Sequence, residues 1–76
     1  MEKPYTYYTV YKYRVSYLAP VEDIWCEAQA HDVGISHRGD QYVFTISERW
    51  SGSYLTQFLL RWGEYIVATE EETWVV

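Results

Sequence analysis

Thirteen residues near the start of the chain, Tyr5-Thr6-Tyr7-Tyr8-Thr9-Val10-Tyr11-Lys12-Tyr13-Arg14-Val15-Ser16-Tyr17, constrain the fold more than any other segment. From Tyr5 to Val10 every residue is β-branched or aromatic, and beyond Val10 apolar and polar residues alternate, which predicts one long strand. Its odd positions carry Tyr7, Thr9, Tyr11, Tyr13, Val15 and Tyr17, and its even positions Tyr8, Val10, Lys12, Arg14 and Ser16. The odd face is the better candidate for the core, and the even face is expected to be partly wet.

After Leu18-Ala19, Pro20 suits a first helical turn, with Glu22 and Asp23 beside the positive end of the helix dipole. Val21, Ile24, Trp25 and Ala28 then recur at helical spacing, which predicts an amphipathic helix over residues 20–31. Gly34 is the expected left-handed stop before Val33 and Ile35 begin a β pattern. Gly39-Asp40 lies between Ile35-Ser36-His37-Arg38 and Gln41-Tyr42-Val43-Phe44-Thr45-Ile46-Ser47, the pattern of a tight hairpin. Ser51-Gly52-Ser53 then offers N-caps for a second helix, Tyr54 to Trp62, whose apolar positions 54, 55, 58, 59 and 62 share one face before Gly63 ends it. The tail, residues 64–76, holds two β-favouring runs separated by Glu70-Glu71-Glu72, and reads equally as one bent strand or as a hairpin.

The resulting order, strand, helix, strand, strand, helix, strand, resembles the ferredoxin-like split βαβ (βαββαβ) arrangement over nearly the full chain. That resemblance implies an α+β domain whose first and third strands are central, whose fourth strand borders the first, and whose two helices cover one face. It is a likeness of topology, carries no motif, and implies no activity. The 76 residues are expected to form a single domain, without internal repeats or low-complexity stretches.

Fifteen aromatic residues in so short a chain supply a core that its length alone would deny it. With Cys26 as the lone cysteine there is no intramolecular disulfide, which points to a reducing compartment and makes the cytoplasm the expected location. No stretch approaches the roughly 20 apolar residues of a membrane span, and Met1-Glu2-Lys3-Pro4-Tyr5-Thr6 does not resemble a signal peptide.

Chemistry-bearing motifs are sparse. Cys26, His31 and His37 are ligand-competent, but their spacing turns them to different elements, so no metal or other cofactor is expected. No nucleophile elbow or glycine-rich phosphate loop occurs, and the adjacent acids Glu22-Asp23 and Glu70-Glu71-Glu72 read as solvated charge, so the chain is not expected to be an enzyme. Arg38-Gly39-Asp40-Gln41-Tyr42-Val43-Phe44-Thr45 resembles the third-strand signature of RNA-recognition motifs at its Arg-Gly start, at Tyr42 and at Val43. The other two aromatic positions of that signature hold Asp40 and Thr45. Metal-carrying ferredoxin-like domains have a Cys-x-x-Cys loop where Ala19-Pro20-Val21-Glu22 stands, and acylphosphatase-type enzymes have an arginine in that loop, which residues 18–23 lack.

Charge says more. Eleven acids against six bases give a net charge of -5, which disfavours direct binding of nucleic acid and favours a partner with a basic surface. Residues 15–37 contain Glu22, Asp23, Glu27 and Asp32 and no Lys or Arg, and residues 62–76 contain Glu64, Glu70, Glu71 and Glu72 and likewise none. Glu22, Asp23 and Glu27 fall off the apolar stripe of the first helix and are expected to face solvent, where they steer a basic partner. Tyr8, Trp50 and Trp74, at wet-face, loop and tail positions, are the aromatic residues expected to stay accessible as interface anchors.

Two functions follow as expectations. The first is a small acidic, non-enzymatic binding protein that docks on a basic, nucleic-acid-handling protein through Glu22, Asp23, Glu27, Asp32, Glu70, Glu71, Glu72 and the three aromatics. In size and acidity it resembles phage-encoded inhibitors of bacterial defence nucleases, anti-CRISPR proteins among them. The second is a homo-oligomerising structural or small-ligand regulatory domain that pairs through its strand edges or its open sheet face.

Overall fold

A computed structural model describes residues 6–75; Glu2, Lys3, Tyr5 and Val76, which figure in the expectations above, lie outside the described residues. The elements are β1 (Tyr7–Val15), α1 (Val21–Gln29), β2 (Gly34–Arg38), β3 (Gln41–Ile46), α2 (Glu48–Ser51), α3 (Tyr54–Trp62) and β4 (Ile66–Val75), with a 3-10 turn at Gly63–Tyr65 before β4. The fold is α+β. One four-stranded sheet runs β2-β3-β1-β4 with every neighbouring pair antiparallel, so β1 and β3 are central and β4 borders β1.

The alternation in β1 selects the core. Tyr13 and Val15 are buried on its odd face, Tyr13 opposite Phe44 in the ladder and Tyr11 opposite the buried Ile46, and Ile24 and Ala28 of α1 and Tyr54, Leu55, Phe58 and Trp62 of α3 close over them. Burying a large apolar side chain contributes roughly 1.5–3 kcal/mol, so these few positions carry much of the stability of a chain this short. The odd-face pattern ends with the strand: Tyr17 lies beyond β1 and is 83% exposed. Val10 breaks the pattern in the other direction, being fully buried on the even face and outside the main core cluster.

Several local expectations need correction. The described residues form seven strands and α-helices rather than six, because Ser47-Glu48-Arg49-Trp50-Ser51 forms a capped extra turn, α2, instead of loop. Ser47 is its N-cap and accepts a hydrogen bond from the Arg49 amide at 3.2 Å, satisfying a donor that a helix start leaves orphaned. α1 begins at Val21 with Pro20 as its cap residue, and it ends at Gln29. The left-handed residue that follows is Asp32, with φ of 59°, not Gly34, which has already joined β2. Aspartate tolerates that conformation because its short polar side chain bonds locally.

The hairpin is as the dipeptide suggests. Gly39 has φ of 64° at the first of two loop positions, where a type II′ turn requires a residue free of Cβ clashes. The tail is one continuous strand. Glu70, Glu71 and Glu72 pair with Lys12, Tyr11 and Val10 in the β1–β4 ladder, and the single register shift lies between Arg14 and Val15, where Arg14 faces Ala68 and Val15 faces Ile66. The extra residue bends and twists β4 at that end, as a bulge does.

Candidate functional site

The residues singled out in the sequence fall in three places. Glu22 and Asp23 are exposed on the first turn of α1, and Asp32 is exposed in the turn after it. Glu70 and Glu71 are exposed on β4, and Glu72 is half-buried between them and Trp74. Tyr8, Trp50 and Trp74 meet at one end of the sheet.

Glu27 is different. Expected to face solvent, it turns instead to α3, where Oε1 accepts hydrogen bonds from the Tyr54 hydroxyl and the Trp62 indole N–H, each at 2.6 Å. Its Oε2 accepts from the Arg61 guanidinium at 2.7 Å. The reason lies in Tyr54 and Trp62: both are buried, and each brings a polar atom that needs a partner at the helix–helix seam. Burial by itself would raise the Glu27 carboxyl, but the hydrogen bonds from Tyr54 and Trp62 and the nearby Arg61 charge outweigh it and hold the group below the usual carboxylate range. The Tyr54 hydroxyl is pushed up, by burial first and then by its bond to Glu27. Glu27 is therefore a structural tie between α1 and α3.

The three aromatics, expected to stay accessible, pack on one another, which leaves Tyr8 and Trp50 half-buried and Trp74 36% exposed. Tyr8 and Trp74 are register partners on the sheet face opposite α1 and α3, with ring centroids 6.2 Å apart. Trp50 completes the group at 5.7 Å from Tyr8 and 5.5 Å from Trp74, each pair meeting edge to face. What delivers Trp50 is Ser47, whose hydroxyl donates to the Thr9 carbonyl at 2.9 Å while capping α2, so the short helix is pinned against β1. The Arg49 guanidinium sits 5.1 Å from the centre of the Tyr8 ring, within reach of a cation–π attraction.

A polar chain holds the opposite side of the group. The Trp74 indole N–H donates to Glu72 Oε1 at 2.8 Å, and Glu72 Oε2 pairs with Lys12 Nζ at 3.1 Å. These two contacts, Trp74 first, draw the Glu72 carboxyl below its ordinary value. Among the described residues the ion pairs are Lys12–Glu72 and Arg61–Glu27, so no described Lys or Arg pairs with Glu22, Asp23, Asp32, Glu70 or Glu71.

The sequence did not disclose how the cations are distributed. The β-ladder places Lys12 and Arg14 of β1 and Arg38 of β2 on the face opposite α1 and α3, with Ser36, Gln41, Val43 and Thr45. Lys12, Arg14 and Arg38 help line a concavity of about 540 Å³ there, together with Glu70 and Trp74. Alternation on three separate strands is the only signal that points to this, and it becomes readable once the register is known.

Cys26 is exposed on α1, His31 stacks on Tyr54 at 4.0 Å and His37 stacks on Tyr42 at 4.3 Å. Among the described residues no group of three potential metal ligands comes together. No family model matches the chain, and neither a curated protein nor a solved structure matches it significantly. What the fold defines is an α+β protein built on a four-stranded antiparallel sheet.

Proposed function

We propose that this chain is a small acidic, non-enzymatic binding protein that docks on the basic surface of a larger protein and blocks or adapts it. The observation that carries the reading is the long edge strand: β4 runs for ten residues, no described strand pairs with its outer side, and Glu70 and Glu71 stand exposed at its middle without a described cation partner. An unpaired edge offers backbone hydrogen bonds to an extended segment of another chain, and its charges select which segment. Glu22 and Asp23 extend the negative surface on α1. Glu27 contributes less, because its carboxylate is already engaged by α3.

The finer readings belong to the same proposal. The sheet order, with β1 and β3 central, supports a ferredoxin-like split βαβ fold into which α2 has been inserted. A nucleic-acid-handling protein, such as a bacterial defence nuclease met by a phage-encoded inhibitor, is a partner class with the required basic surface. Self-pairing through β4 is the competing reading, and like charges oppose it. A two-fold antiparallel pairing centred on Glu71 sets Glu70 against Glu72 and Glu71 against its own copy.

Capture from bacterial lysate at low and high salt, with Glu22→Lys/Asp23→Lys and Glu70→Lys/Glu71→Lys variants alongside, tests the proposal. A basic protein retained by the native chain, released by salt and lost with either pair of reversals is the expected result. Retention that ignores both reversals overturns it, and bait alone together with a dimer in sedimentation transfers the function to self-association.

A further inference from the structure

The net charge of -5 conceals a segregation. Of the described cations, Lys12, Arg14 and Arg38 lie on the sheet face opposite α1 and α3, and Arg49 of α2 rests against Tyr8 of that face. Arg61 alone is on the helix side, paired with Glu27. By the β1–β4 register Glu70 and Glu72 share the face of Lys12 and Arg14, so its surplus of positive charge comes down to the arginines. Lys12 already has Glu72 at 3.1 Å. Arg14 and Arg38 are exposed and have no acid partner among the described residues.

The register sets their spacing. Arg14 faces Val43, Val43 faces Ser36, and Arg38 is the next residue on that face of β2. Two strand spacings place Arg38 about 10 Å across the sheet from Arg14 and one side-chain row along it, while Lys12 and Arg14 are about 7 Å apart. Long guanidinium side chains rooted at these distances can converge on one multiply charged group, and arginine offers the paired donors that phosphate oxygens accept. Ser36, Gln41 and Thr45 line the floor with neutral hydrogen-bonding groups, and Trp74, 36% exposed, forms part of the wall.

We propose that this concavity binds a nucleoside polyphosphate, with Arg14 and Arg38 taking the phosphates and Trp74 taking the base. The occupant follows from the lining. Its 540 Å³ falls in the size range of small-molecule sites, about 300–1,000 Å³. Arg14 and Arg38, without an acid partner among the described residues, are free to bind an anion, and the part of the Trp74 indole left open by Tyr8 and Trp50 suits a flat heterocycle, since base–aromatic stacking contributes about 1–3 kcal/mol. Glu70, which lines the same hollow, repels a bare anion but accepts a hydrogen bond from a sugar hydroxyl or an exocyclic amine. A nucleotide carries all three features on one molecule. The site shares Glu70 with the docking surface proposed above, so its test rests on Arg14 and Arg38, which that surface does not use.

The test is calorimetric titration of the full chain with ADP, with tryptophan fluorescence as a second readout. Saturable binding is expected, weakened at least tenfold by Arg14→Gln and by Arg38→Gln, two exposed positions whose substitution leaves the circular dichroism unchanged. Trp74→Leu should weaken ADP while leaving inorganic pyrophosphate unaffected. An absence of ADP binding at millimolar concentration overturns the proposal, as does affinity indifferent to both arginines. Tighter binding of a short oligothymidylate than of ADP by more than tenfold also overturns it, in favour of a nucleic-acid strand.

Discussion

Glu27 Oε1 and the Tyr54 hydroxyl lie 2.6 Å apart across the seam between α1 and α3, and the Trp62 indole N–H reaches the same oxygen. A single carboxylate oxygen thus satisfies two buried aromatic donors, while the second oxygen holds the more exposed Arg61. The arrangement explains why Glu27, unlike Glu22 and Asp23 on the same helix, is turned inward.

Replacing Glu27 should show which oxygen matters. Glu27→Ala strands both aromatic donors and is expected to cost about 2–3 kcal/mol, because hydrogen bonds to a charged acceptor are stronger than neutral ones and a buried donor left unmade carries its desolvation penalty. Glu27→Gln retains an oxygen acceptor and loses chiefly the Arg61 pair, whose guanidinium side is 61% exposed, so a cost of about 1 kcal/mol or less is expected. Urea midpoints of the three proteins decide it, and equal losses in the two variants would mean that the aromatic donors are indifferent to their acceptor.

Acid should act through the same group. The folded state holds the Glu27 carboxyl below the ordinary carboxylate range, so the folded protein binds that proton less readily than the unfolded chain does. The stabilisation is therefore complete above the unfolded value and is lost as the pH falls through the lower folded one. Urea midpoints measured from about pH 6 down to about pH 3 should fall less steeply for Glu27→Gln than for the native chain. Glu72 titrates in the same direction in both proteins, so the difference between the two slopes isolates Glu27. Parallel slopes would remove Glu27 from the acid transition.

Ser47 should control the aromatic group from a distance. Its hydroxyl caps α2 and also donates to the Thr9 carbonyl. Ser47→Ala is expected to cost about 1 kcal/mol, in the usual range for a lost N-cap, and to shift tryptophan emission to longer wavelength as Trp50 loosens from Tyr8 and Trp74. An unchanged spectrum at reduced stability would assign the hold on Trp50 to ring packing alone.

The strands, the main helices and the hairpin were legible because each is written in local terms. Tyr7 to Val10 are all β-branched or aromatic and Tyr11 to Val15 alternate, residues 54, 55, 58 and 62 recur on one helical face, and Gly39 supplies the positive φ that a tight turn needs. The short α2 escaped notice because one turn leaves no period to read, and only the serine before Glu48-Arg49 hinted at a cap. The candidate site was legible as a set of residue types and not as an arrangement. Glu22 and Asp23 are exposed, as their helical positions imply, whereas Glu27 on the same helix is captured by two residues some thirty positions later in the chain.

By itself the sequence determined the local conformations, the face of β1 that is buried, and the scarcity of groups able to do covalent chemistry, since all three follow from the order of side chains along short stretches. Tertiary structure decided whether Glu70 to Glu72 turn or continue, where Trp50 rests, what Glu27 serves, and that Lys12, Arg14 and Arg38 share one face. Those outcomes depend on register between strands and on which distant donor finds which acceptor. Period-two alternation on one strand is silent about the strand beside it, so side chains far apart in the chain become neighbours only when the sheet closes.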